Sequence, residues 1–219
     1  MSEVLFEQIP LGGNRNFGYL LADRRTRVAA LVDPAFIPDE LVERVRSLNL
    51  TLEWVLVTHG HSDHTNGVER VRELVPEVRV AAHPQGYANA EVHFHGGESF
   101  RVGDVPVEVL FTPGHHPGSL CFLVDGRKLI SGDELFVGKV GGTDFPGSDV
   151  KRQHHSLFEV LLKLDDAVEV WPGHNFGACE RSTIGEERRT NPFLQRPSLD
   201  DFKWLKDNWA EYKKQHNLP

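Results

Sequence analysis

The heptapeptide THGHSDH, Thr58 to His64, packs three histidines and an aspartate into one short loop directly after the apolar run LEWVLV. Such a run reads as a buried strand, which fixes the backbone while the loop after it turns polar side chains inward. Each neutral imidazole offers a ring nitrogen and each carboxylate an oxygen, so His59, His61, Asp63 and His64 together point to a metal site. One loop of this length cannot enclose two metals alone. Further donors stand at comparable places, His115 in TPGHHPGS, Asp133 in SGDELF and His174 in WPGHNFG. Each follows or ends a β-prone run and lies beside glycine, whose missing Cβ lets the backbone turn sharply and approach closely. A chain that uses these donors must bring several strand ends to one place.

The remaining pattern is compatible with that demand. VLFEQI, FGYLLA and VAALVD read as antiparallel strands separated by GGN and DRR, the third ended by Asp33-Pro34. PDELVERVRSLNL carries Leu41, Val45 and Leu48 at helical spacing, and GVERVRELV repeats it through Val68, Val71 and Val75. VRVAAH follows as a short strand. VPVEVLF, SLCFLVD and KLISGD read as strands, QHHSLFEVLLKL as a helix, and VEVW as a last strand. SLDDFKWLKDNWAEYKKQH is predicted as one terminal helix opened by Ser198, with Phe202, Leu205, Trp209 and Tyr212 as its core stripe.

Composition narrows the partners. The 219 residues carry a formal net charge of -8 and no long basic block, so binding to nucleic acid or to an anionic membrane is not expected. The partner expected is a small molecule. Cys121 and Cys179 are far apart and outside any CxxC pattern, which argues against a disulfide framework and reads as two packed thiols. The start MSEVLFEQIP shows no secretory pattern and no later run has the length of a membrane span, so a soluble cytoplasmic protein is expected. Other histidines have plainer readings. His93 and His95 would share a strand face without a third donor nearby, and His116 and the pair His154 and His155 read as rim or surface residues.

In order and spacing, THGHSDH, TPGHHPGS, SGDELF and PGH resemble the metallo-β-lactamase superfamily, specifically its glyoxalase II and persulfide dioxygenase branch. STIGEERRTNPFL, Ser182 to Leu194, is similar to a segment of that branch. The resemblance implies an α/β fold, a four-layer αββα sandwich with a short C-terminal helical extension, and metals at one edge of two facing sheets. It implies one domain over residues 1–219, with 178–219 as a loop and helix packed on it. The ligand set it implies is His59, His61 and His115 for one metal, Asp63, His64 and His174 for a second, and Asp133 between them. No cysteine stands among these motifs, so antibiotic hydrolysis is not expected.

The resemblance also sets two expectations for activity. The first is a metallohydrolase in which a metal-bridging hydroxide attacks a thioester such as S-lactoylglutathione, with Asp63 as the group that orients or accepts the water proton. Two divalent ions are expected, zinc first, with iron or manganese also compatible with nitrogen and oxygen donors. The second is a persulfide dioxygenase with a single iron on His59, His115 and Asp133, oxidising glutathione persulfide to sulfite. Substrate contact is expected from His116 and from Arg188. Gly142 departs from the branch, whose members commonly carry a basic residue before Thr143.

Overall fold

The computed structural model describes residues 4–216, so the outermost residues of the predicted 1–219 unit lie outside the described part. The first half builds one sheet. β1 (Val4–Gly12), β2 (Asn16–Asp23) and β3 (Val28–Val32) form an antiparallel meander, followed by helix α1 (Pro38–Ser47) and β4 (Thr51–Leu56). The short helix α2 (Ser62–Thr65) and α3 (Val68–Leu74) lead to β5 (Arg79–Ala82) and β6 (Val92–His93). The six strands lie in sequence order, and β3, β4, β5 and β6 run parallel. The second half contributes β7 (Ser99–Val102), β8 (Val105–Phe111), β9 (Leu120–Val124) and β10 (Lys128–Gly132), then the hairpin of β11 (Leu135–Phe136) and β12 (Lys139–Val140). After α4 (Val150–His155) come β13 (Glu169–Pro172), β14 (Ser182–Thr183), α5 (Ile184–Thr190), α6 (Leu199–Asp207) and α7 (Trp209–His216). The order across this second sheet is β14-β13-β10-β9-β8-β7.

Alternation along the strands makes the layers. In β2, Leu20 and Ala22 join Leu41, Val45 and Val71 of α1 and α3, while Tyr19 and Leu21 join Phe122, Ile130 and Trp171 of the other sheet. Successive side chains point to opposite faces, so a strand buried on both faces needs an unbroken apolar run, and FGYLLA supplies one. The outer face of the second sheet, with Cys121, Leu129 and Val170, is covered by Leu157, Ile184, Phe202 and Leu205. Helices on both outsides and two sheets between them give the four-layer α/β sandwich.

Three local expectations change. The segment predicted as a helix from QHHSLFEVLLKL is α4, then a π-helical turn at Ser156–Val160 and a 3-10 turn at Leu161–Lys163. Ser156 Oγ donates to Pro113 O at 2.8 Å, a tertiary bond made where the helix widens. The single terminal helix is two helices parted at Asn208, whose backbone leaves the helical region at φ -113° and whose side-chain amide shares Trp204 O with its own N–H. The predicted cap holds, Ser198 accepting from Asp201 N–H. Residues 178–219, expected as loop and helix, also supply β14 to the sheet edge. Of the two thiols expected to be packed, Cys121 is buried and Cys179 is exposed.

A seven-donor cavity at the sheet edge

The loops after β4, β8, β10 and β13 converge where the two sheets meet. Phe17 N–H donates to Gly173 O at 2.8 Å and Leu120 N–H to Thr58 O at 2.8 Å, so backbone bonds tie the donor loops of one sheet to the other. Gly173 shows why glycine recurs beside the donors. A Cβ there would lie 2.3 Å from Asp133 Oδ1 and 2.9 Å from His64 Cε1, so any side chain would fill the cavity.

All seven predicted donors come together. His59, His61 and His115 form one group with donor atoms within 4.8 Å of each other, Asp63, His64 and His174 a second, and Asp133 joins His59 and His64 in a third between them. Asp133 Oδ2 lies 3.2 Å from His174 Nε2 and 3.6 Å from His115 Nε2, which places its carboxylate between the two sets. His59, His64, His115 and His174 are buried, whereas the Asp63 side chain is 35% exposed and closes the cavity on its open side.

The protons on these rings follow from the groups around them. His115 Nδ1 faces Gly142 O at 2.9 Å and His174 Nδ1 faces Asn14 O at 2.9 Å, and a carbonyl can only accept, so both rings carry the proton on Nδ1. Thr58 Oγ1 donates to Asp33 Oδ2 at 2.6 Å and therefore accepts from His59 Nδ1 at 3.0 Å. Nε2 of each ring is left as a lone pair aimed into the cavity. His61 turns Nδ1 inward instead, 3.0 Å from both His59 Nε2 and His115 Nε2. Lone pairs opposed at such distances repel unless a cation or a proton lies between them.

His64 and His174 face each other through Nε2 at 3.2 Å, with His64 Nδ1 held by Asp33 at 2.9 Å. Burial opposes charge on His64, but the carboxylates of Asp133, Asp33 and Asp63 outweigh it and raise its pKa to about 9. Burial pushes His59 well down, and neighbouring His64 pushes it further. Burial would raise Asp133, yet His64, His174 and His59 hold it well below the usual carboxylate range. Its Oδ1 is nonetheless buried without a hydrogen-bond partner, an orphan that a cation would satisfy. The donor set therefore fits divalent metal. In the metal-free site His64 holds a proton below about pH 9. Zinc loading at pH 7 should therefore release at least one proton, that of His64 adding to any lost by metal-held water, read by calorimetry in buffers of different ionisation enthalpy. A proton count clearly below one would show His64 to be neutral before metal arrives.

Several supporting residues were not foreseen. Asp33 holds Thr58 and His64, and Asn16 donates from Nδ2 to Asp63 Oδ2 at 3.0 Å. Behind the cavity, Glu134 Oε2 accepts from His115 N–H at 3.2 Å, and Lys206 of α6 donates to Gly141 O at 2.6 Å. Burial moves this pair toward each other, Glu134 up to about 8 and Lys206 down to about 8. They brace the stretch whose Gly142 carbonyl orients His115. The predicted substrate contacts fall elsewhere. His116 packs beside His61 with ring centroids 5.2 Å apart, and burial lowers its pKa to about 4. Arg188 does not line this cavity, because Asp166 and the Leu162 carbonyl hold its guanidinium. His93, His95 and His155 are exposed.

Comparison with known proteins agrees with this geometry. Residues 15–174 match the Metallo-beta-lactamase superfamily. The chain belongs to that superfamily. It is 31% identical to the mitochondrial persulfide dioxygenase ETHE1 of Mus musculus over 94% of this chain and 81% of the relative. It is also 31% identical to the hydroxyacylglutathione hydrolase GloC of Haemophilus influenzae, over 78% of this chain and 89% of the relative. Among solved structures, ETHE1 from Myxococcus xanthus superposes with a TM-score of 0.88 at 33% identity, covering 94% of this chain and 91% of the other. Among the described residues no helix is long and apolar enough to cross a membrane.

Proposed function

We propose that this superfamily member is a two-metal hydrolase of thioesters carried on a small thiol such as glutathione. The observation that carries the reading is the complete second donor set. Asp63, His64 and His174 converge as closely as His59, His61 and His115, with the orphaned Asp133 carboxylate between the two. The second set offers a second ion a place beside the first. Each triad would hold one ion, with the Asp133 carboxylate available to both. Bound there, two divalent ions would supply a Lewis acid for the carbonyl and a water acidified to a pKa of roughly 7. The chain does the positioning. Asn16 holds Asp63 at the open side, where its carboxylate can orient that water and accept its proton. A departing thiolate, with a parent pKa near roughly 8.5, needs no dedicated acid, and no side chain in the cavity has to supply one. Phe136, Phe145 and Phe176 line the cavity of about 500 Å³ and give the reacting carbonyl an apolar wall beside the donors.

A second reading is favoured by the comparisons. The Mus musculus persulfide dioxygenase and ETHE1 of Myxococcus xanthus each match over 94% of this chain, against 78% for the hydrolase GloC. In that reading His59, His115 and Asp133 hold one iron and the other donors stay free. Metal analysis of protein purified under low oxygen separates the two. Two zinc per chain with hydrolysis of S-lactoylglutathione is the expected result. One iron per chain, with oxygen uptake on glutathione persulfide and no thioester cleavage, would replace the hydrolase by the dioxygenase.

A further inference from the structure

The cavity has a cationic wall that neither the donor set nor the mechanism uses. Lys139, in β12 of the hairpin, lines the donor cavity and also a neighbouring cavity of about 640 Å³. Its ammonium lies 5.6 Å from the Phe136 ring centroid and 4.7 Å from that of Phe176, and the Arg15 guanidinium lies 4.9 Å from the Phe176 centroid. Phe176 in turn stacks on His174, with interplanar angle 7° and centroids 4.6 Å apart. One aromatic platform therefore connects a donor histidine to two cations.

These cations have no carboxylate of their own. Among the described residues Lys139 and Arg15 engage rings, whereas Lys128, Arg188 and Arg44 are each paired with an acid. Burial lowers the Lys139 pKa, and nearby Lys213 and Arg15 lower it further, with Asp133 opposing them. Of these cations Lys139 alone lines the cavities, and it does so within the field of Arg15 and Lys213, a like-charge arrangement that carries a cost. An anionic ligand would offset that cost. Cation–ring contacts hold the ammonium in place while leaving its N–H groups free to donate.

We propose that Lys139, with Arg15 on the other cation contact of Phe176, recognises a carboxylate of the thiol carrier where the donor cavity opens into its larger neighbour. Lys139 thereby supplies the cation that the chain lacks at Gly142. The inference rests on the proposed substrate class but not on the reaction, since a thioester and a persulfide of one carrier present the same carboxylates. It makes Lys139 a specificity residue that selects carboxylated carriers over neutral ones.

The test is binding by the metal-loaded protein, so it does not depend on turnover. Calorimetry would compare S-methylglutathione with its dimethyl ester, which keeps the shape and removes both carboxylate charges. The acid should bind about tenfold more tightly than the ester, the scale of one charge-assisted hydrogen bond in a partly open site. Lys139→Ala should remove that difference and Lys139→Arg should keep most of it. Equal affinity of the wild type for acid and ester, no measurable binding of either, or a difference that survives Lys139→Ala overturns the proposal. Should the acid be preferred while S-lactoylglutathione is not hydrolysed, the hydrolase reading fails and the carboxylate site stands.

Discussion

Replacing Asp133 by alanine should abolish metal bridging and turnover while leaving the metal-free protein folded. The carboxylate is buried, its Oδ1 has no hydrogen-bond partner, and its Oδ2 lies 3.2 Å from His174 Nε2, so the metal-free fold loses the attraction between Asp133 and the His64 and His174 rings but no wider network. His64 keeps Asp33 as its counter-charge in the variant. The metal-free melting temperature should accordingly stay within a few degrees of wild type. With zinc added the two proteins should part. A ligand that binds only the native state stabilises it by RT ln(1 + [L]/Kd), about 4 kcal/mol at a thousandfold excess over Kd, and the variant should lose most of that gain. Its thioesterase activity should fall by about three orders of magnitude, because the group that holds both ions at one distance is gone. Scanning calorimetry with and without zinc, together with metal counting, reads both effects. A variant that still gains its full stability from zinc would show that Asp133 does not link the two sets.

The donors themselves were legible because they sit in local sequence. THGHSDH carries four of them after one apolar run, and His115, Asp133 and His174 each stand after such a run and beside glycine. The layers were legible for a similar reason, since unbroken runs such as FGYLLA announce strands covered on both faces. What holds the donors was not legible, because it comes from residues distant in sequence or from backbone carbonyls, which carry no side-chain signature. Gly142 reads as a missing cation, yet its carbonyl is what orients His115. Asn16 lies in what reads as an ordinary turn, and its partner Asp63 is 47 residues away. Lys139 lies three residues before Gly142 in a short hairpin, and only the fold places it against Phe176. The terminal helix failed in another way. Its apolar spacing continues through Asn208, but the backbone there leaves the helical region and the side chain caps Trp204 O, and spacing does not register such a local break.

Asp33 is the unforeseen residue with the largest expected effect. In sequence it only ends a strand before proline, although an acid closing an apolar run beside the motif strand is an unusual place for a charge. In the fold it is 2% exposed and accepts three bonds, from Thr58 N–H at 2.8 Å, Thr58 Oγ1 at 2.6 Å and His64 Nδ1 at 2.9 Å. The second bond commits Thr58 to accept from His59, so one carboxylate sets the orientation of two donor rings in opposite triads. Its backbone is in the left-handed region at φ 49°, where a short polar side chain is better tolerated than a bulky one. Alanine here would leave the Thr58 N–H and the His64 Nδ1–H buried without acceptors, at about 1–3 kcal/mol for each such group. The Asp33→Ala protein should melt about 5–15 °C lower and bind zinc about 10–100-fold more weakly. Asp33→Asn separates shape from charge. Its amide keeps the volume, but one of its two ends must present N–H to a group that is itself a donor, so most of the metal affinity should still be lost. Wild-type zinc affinity in Asp33→Asn would mean that this carboxylate serves only to close the strand. A weakened site in both variants would mean that the metal centre is set from behind by a residue that never touches it.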